Sequence, residues 1–167
     1  MPADATSSSH ARASWTSAEI GLAIGSVLLI TLVAFEELAA TTIMPAVVAS
    51  FDAAAWYPVA SGAALATQLS ATVVAGALAD WKGPRLVLFG GMVLFAVGLV
   101  ISAVAPTIII FVVGRALQGL GGGLLVVPLY VLIGAVASPG HRPVFFAAFS
   151  LAWVLPSLVG PAIAGHV

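Results

Sequence analysis

Gly76 to Leu88 reads GALADWKGPRLVL, with Asp80, Lys82, Gly83, Pro84 and Arg85 crowded into its middle. On either side the chain is uncharged, over 58–79 before this island and 86–105 after it. A helix needs roughly 20 mostly apolar residues to cross a bilayer. Both flanks meet that length, so the island reads as a compact charged turn between two antiparallel membrane spans. Gly76 permits close helix approach, Asp80 is expected to end the first helix, Gly83 allows the tight reversal, and Arg85 supplies charge.

The rest of the chain has the same character. Of its 167 residues, 62% are hydrophobic and only 7% charged, against about 45–50% and about 25% in ordinary soluble domains. Five Lys or Arg and six Asp or Glu cannot clothe a water-soluble core. A disordered chain would be poor in apolar residues and rich in charge, the reverse of what is found. The net charge of −1 offers no basic field for nucleic acid. The lack of cysteine removes disulfides, thiolate chemistry and cysteine metal sites together. The expected fold class is an all-α integral membrane protein, solvated by the lipid bilayer.

Used as punctuation, the charges divide the chain into a polar, Ser-rich tail at 1–19 and five spans at about 20–48, 58–79, 86–105, 108–137 and 144–166. The joining loops are only a few residues long, so neighbouring helices run antiparallel. Arg12, Lys82, Arg85 and Arg142 all fall in the tail or in alternate loops, while the loops around Asp52 and Pro106 have no Lys or Arg. Positive residues mark the cytoplasmic side, which places the N-terminus there. Trp15, Trp56, Tyr57 and Trp81 sit at span ends, as interfacial anchors do. A cleaved signal peptide is a poor reading of the first span, whose apolar stretch is too long and is interrupted by Glu36 and Glu37. The last span ends at Gly165-His166-Val167 without a closing loop. The expectation is therefore the front part of a longer protein.

Three charged groups remain at membrane depth: Glu36, Glu37 and Arg115. Such groups cost about 2.5–3.5 kcal/mol each on insertion scales and are functional by default. Counted from the span ends at 1.5 Å per residue, Glu37 lies about 15 Å inside and Arg115 about 12 Å inside. The buried cation is thus level with the buried anions. Adjacent helical positions differ by about 100°, so only one glutamate can face a central cavity squarely. A carboxylate there is drawn to the neutral form by desolvation and to the anion by a guanidinium, and a group so balanced can bind and release a proton. It can equally exchange that proton for a lipophilic cation. The plain alternative is a static ion pair holding spans one and four together.

Four motifs organise the reading further. The island Gly76, Leu78, Asp80, Gly83 and Arg85 resembles the G-x-L-a-D-r-x-G-r-k signature between helices two and three of the major facilitator superfamily. Trp81 and Pro84 stand where that family usually has basic residues, so a thinner salt-bridge network is expected. In FVVGRALQGLGGG, Arg115, Gln118, Gly119 and Gly121 resemble the fourth-helix motif R-x-x-q-G-x-g. Gly119 and Gly123 also form a G-x-x-x-G surface, which lets helix backbones touch. In PSLVGPAIAG, Gly160, Pro161 and Gly165 resemble the fifth-helix g-x-x-x-G-P-x-x-G-G signature of the exporting branches, with Pro156 and Ala164 departing from it. A Gly-Pro pair there would kink the helix. Finally, AFEELAATTIMP resembles the acidic first-helix motif of the drug:proton antiporters, and aligning Pro45 with its proline sets Glu36 on the motif's aspartate.

The resemblance extends over about 20–165. It implies five helices of an N-terminal bundle built from inverted repeats, with the second bundle of the same transporter absent from this chain. It further implies a proton-coupled exporter of small amphipathic molecules, working by alternating access at the cell membrane. Glu36, Glu37, Arg115 and Gln118 would serve proton coupling and substrate, Gly76, Asp80, Gly83 and Arg85 conformational gating, and Gly160, Pro161 and Gly165 the exporter kink. No cofactor or metal is called for. The competing readings are a metabolite uptake symporter of the same superfamily and a truncated, non-transporting membrane protein. An enzyme is disfavoured because His10, His141 and His166 are scattered and no nucleophile–base pair appears.

Overall fold

The computed structural model describes the backbone of residues 14–164 and the side chains of residues 14–154. It consists of five helices and one short turn of 3-10 helix, Ala54–Trp56, with no strand among the described residues. Helix α1 covers Ser17–Ser50, α2 Tyr57–Lys82, α3 Pro84–Ala103, α4 Ile108–Val136 and α5 Arg142–Ala164. The first four are long and apolar enough to cross a membrane; the part of α5 with described side chains, Arg142–Val154, is apolar but shorter. At 34 residues, α1 is about 51 Å long, well beyond the roughly 30 Å hydrocarbon core, so it tilts or extends past it.

Local chemistry sets the helix boundaries. The Thr16 hydroxyl accepts from the Glu19 amide while the Glu19 carboxylate accepts from the Thr16 amide, a capping box that starts α1. Thr107 caps α4 by accepting from the Ile110 amide. Asp80 does not end α2, which continues two residues further to Lys82. The reversal is made by Gly83 alone, at φ 86° and ψ 142°, a backbone region closed to most residues with a Cβ. Pro84 follows at once in the first turn of α3, where its fixed φ suits a helix start and its missing N–H is not needed.

Helix α4 is the centre of the packing, in long contact with α2 on one side and α3 on the other, while α1 packs chiefly against α5. Glycines decide how closely α4 is held. A Cβ on Gly119 or Gly123 would come within 3.0 Å of the Ala64 or Gln68 carbonyl oxygen of α2. A Cβ on Gly114 or Gly121 would do the same to the Ser102 or Phe95 amide of α3. Backbones this close allow bonds between helices: the Thr67 hydroxyl of α2 donates to the Ala116 carbonyl of α4 at 2.9 Å. Apolar clusters fill the remaining seams, Met44, Val48, Ala60 and Phe111 towards the Phe51–Trp56 end, and Leu129, Ile133, Phe145 and Phe149 towards the Ser138–His141 end. The outer faces expose Leu28, Leu32, Leu65, Leu69, Val73 and Val100. Such a surface suits lipid and would aggregate in water.

Candidate functional site: a polar layer across the bundle

Midway along the bundle, Arg115 of α4 donates from Nη1 to Oε1 of Glu36 on α1, an ion pair with side chains 6% and 15% exposed respectively. The same Nη1 donates to Oε1 of Gln118, one turn further along α4, at 3.2 Å. The Ser102 hydroxyl of α3 donates to that oxygen at 3.3 Å. Position follows from packing: Gly114 seats α4 on α3 and Gly119 seats it on α2, leaving the face between them, which carries Arg115, turned towards α1. A charge pair this far from water retains its value only with such added hydrogen bonds.

The layer has two sides. Glu36, Arg115 and Gln118 line a cavity of about 420 Å³ between α1, α3 and α4, walled otherwise by apolar groups such as Ile43, Met44 and Phe111. Glu37 is absent from its walls. It is turned towards α2, beside Gln68, and both line a much smaller space next to Gly119 and Gly122. A third cavity, of about 230 Å³, lies between α1, α4 and α5 and has Tyr130, Phe146, Phe149 and Trp153 in its walls. The Glu36–Arg115 pair and the Tyr130, Phe146, Phe149 and Trp153 rings thus line different cavities.

The expected gating residues occupy the far end. Gly76 faces Val127 of α4, whose Cγ1 lies 3.8 Å from where a Cβ would stand. Asp80 and Arg85 are exposed and form no ion pair among the described residues. Lys82 lies over the Trp81 ring, 5.0 Å from its centre. Gly160 and Pro161 fall within α5, in the stretch whose side chains are not described, and Gly165 lies outside the described residues.

Sequence reasoning missed a second polar cluster, where the start of α1 meets the turn between α4 and α5. Glu19, 2% exposed, accepts from the Ser138 amide at 2.7 Å and lies 3.2 Å from His141 Nδ1. The Trp15 ring stacks on His141 at 4.1 Å between centres. Glu19 precedes the apolar run that begins at Ile20, and the Ser138 amide, then the Thr16 amide, hold its carboxyl down to about 2. The spacing Thr16-x-x-Glu19 signals the cap, but nothing local signals Ser138. Gln68 and Ser102 were missed too, being single polar residues without a motif.

No solved structure matches the chain. Among known proteins, it is 29% identical over 143 residues to an uncharacterized transporter of Schizosaccharomyces pombe, covering 86% of this chain and 24% of that protein. It is 29% identical over 126 residues to the multidrug transporter protein MdtP of Bacillus subtilis, covering 75% and 23%. It is 27% identical over 154 residues to the dehydrocurvularin exporter of Alternaria cinerariae, covering 90% and 26%. The chain therefore spans about a quarter of the length of these curated relatives. Residues 26–167 match the Major Facilitator Superfamily. With its apolar helices packed round a buried polar layer, the chain belongs to that superfamily of membrane transporters.

Proposed function

We propose that this chain is the N-terminal part of a proton-coupled exporter of small amphipathic compounds, lying in the cell membrane with its N-terminus cytoplasmic. The observation that carries the reading is the Glu36–Arg115 pair in the wall of a 420 Å³ cavity. A carboxylate that shares its counter-ion with an accessible cavity can trade that partner for a proton or for a cationic substrate. The names of relatives, multidrug transporter and exporter, support the outward direction. The distribution of Lys and Arg supports the orientation. In this reading a second bundle completes the transporter, and the two rock about the midplane layer in alternating access. Asp80 and the Gly83 turn act at the membrane edge on switching, and the Gly160-Pro161 pair bends α5.

The test is efflux of a lipophilic cationic dye from vesicles containing the complete transporter, with an imposed pH gradient. Wild-type efflux should follow the gradient and collapse with a protonophore. Glu36→Gln should insert normally and lose gradient-driven efflux, with Glu37→Gln less affected. Efflux indifferent to the gradient, or unchanged in Glu36→Gln, would overturn the proposal.

A further inference from the structure

The small space beside Glu37 has walls from four helices: Glu36 and Glu37 of α1, Ala64 and Gln68 of α2, Phe95 of α3, and Gln118, Gly119 and Gly122 of α4. Its volume, about 10 Å³, is of the size a single water needs, roughly 10–15 Å³. A water also needs two to four polar partners. Both carboxyl groups and both glutamine amides supply them.

An independent observation comes from Gln118. The side chain is 2% exposed, and its Nε2 is buried with no hydrogen-bond partner among the described residues. Its orientation is settled by Arg115, which can only donate, so the amide oxygen must be the atom facing Nη1. The NH2 is therefore the half of the amide not engaged by Arg115 or Ser102, and Gln118 is one of the residues lining the small space. A buried donor left unpaired is costly, since its lost hydration is not made up. A water in that space would remove the cost.

We propose that one buried water bridges Glu36, Glu37 and the Gln118 amide, and that it passes protons between the two carboxyl groups. The relay rests on the proton-coupling reading above; the water site does not. The step conserves atoms and charge. Protonated Glu37 gives its proton to the water oxygen as the water gives one of its own to the Glu36 carboxylate. The water is restored, the negative charge moves from Glu36 to Glu37, and Arg115 loses its anionic partner. Glu37 thereby becomes the proton's entry point, and Glu36 the group that senses cation or substrate in the large cavity. The charged groups facing this space are Glu36, Glu37 and, behind Glu36, Arg115; α2 and α3 bring Gln68, Ala64 and Phe95, none of them titratable.

Gly122 provides a clean test. A Cβ there would have three atoms of the Gln68 side chain as its nearest neighbours, none closer than 3.7 Å. Gly122→Ala therefore adds a methyl group beside the water without forcing the helices apart; Gly122 also borders the 230 Å³ aromatic cavity but not the 420 Å³ cavity that holds the Glu36–Arg115 pair. Infrared difference spectra on acidification of the complete transporter in lipid, with oxygen-18 water as probe, should show one strongly hydrogen-bonded water band. The band should vanish in Gly122→Ala, and proton uptake should slow about tenfold with dye affinity unchanged. Glu37→Gln, which adds no volume, should shift the same band and slow uptake comparably. A missing wild-type band, or one untouched in both variants, overturns the water. A band lost with uptake unchanged overturns the relay. Transport independent of the pH gradient, with the band behaving as expected, overturns the proton-coupling reading while the water site stands.

Discussion

Removing one member of the Glu36–Arg115 pair should cost far more than removing both. Both side chains are nearly out of contact with solvent, and the other described basic side chains, Lys82, Arg85, His141 and Arg142, lie at the Gly83 and Ser138 turns. Arg115→Met would leave the Glu36 carboxylate with no replacement partner at its level. Breaking a buried pair from one side costs about 3–5 kcal/mol, whereas replacing both partners by uncharged groups is often neutral. The expectation is therefore about 3 kcal/mol for Arg115→Met, about 2–3 kcal/mol for Glu36→Gln, which leaves the guanidinium its Gln118 bond, and about 0–1 kcal/mol for the double variant. Reversible unfolding of the purified protein in bicelles, followed by circular dichroism, gives the three numbers. Arg115→Lys should restore most of the stability but only part of the transport, because an ammonium lacks the planar fork. If each single variant costs under about 1 kcal/mol, or the double variant costs their sum, the pair is not a desolvated ion pair and the reasoning fails. If the double variant regains transport along with stability, the pair is a brace and has no part in coupling.

Two further variants test what sets this layer in place. Gly119→Ala should destabilise by about 1–3 kcal/mol through overpacking, since the new methyl would run into the Ala64 backbone and the Thr67 hydroxyl. Unfolding in the same bicelles checks it, and a stability equal to wild type would mean that α2 and α4 are not in backbone contact. Glu19→Ala removes both the α1 cap and the tie to Ser138, so deuterium exchange should rise at the first turn of α1 and around Ser138. Because the Glu19 carboxyl is held down to about 2, below its unfolded value near 4.3, its contribution is fully present above about pH 4 to 5 and is lost as pH falls towards 2. Exchange at Ser138 in the wild type should follow that course.

Lipid thickness explains how much of this fold could be read from sequence. It sets a minimum helix length, which α1 at 34 residues far exceeds, while charged islands and turn residues mark where helices reverse, as Gly83-Pro84 does between α2 and α3. Depth is partly legible: counting the rise per residue puts Glu37 and Arg115 at similar depths, and it is the neighbouring Glu36 that pairs with Arg115. Rotation about the helix axis is not legible, because it depends on which neighbours the glycines admit. The spacing of Gly119 and Gly123 announces one close seam, but Gly114 and Gly121, seven apart, make a second seam with α3 that carries no short motif. Together the two seams turn Arg115 to Glu36 and leave Glu37 to α2. The tie between Glu19 and Ser138 spans 119 residues, and its two halves look like an ordinary cap and an ordinary turn. Even so, the buried polar layer stands where the sequence breaks its own local rule. An arginine and two glutamates inside apolar helices each cost about 2.5–3.5 kcal/mol on insertion, and packing alone offers no reason to retain them. Most other positions in those helices follow lipid solvation and close packing, with buried Gln118 the polar companion of Arg115 in α4, so these charges are where a requirement beyond packing is to be tested first.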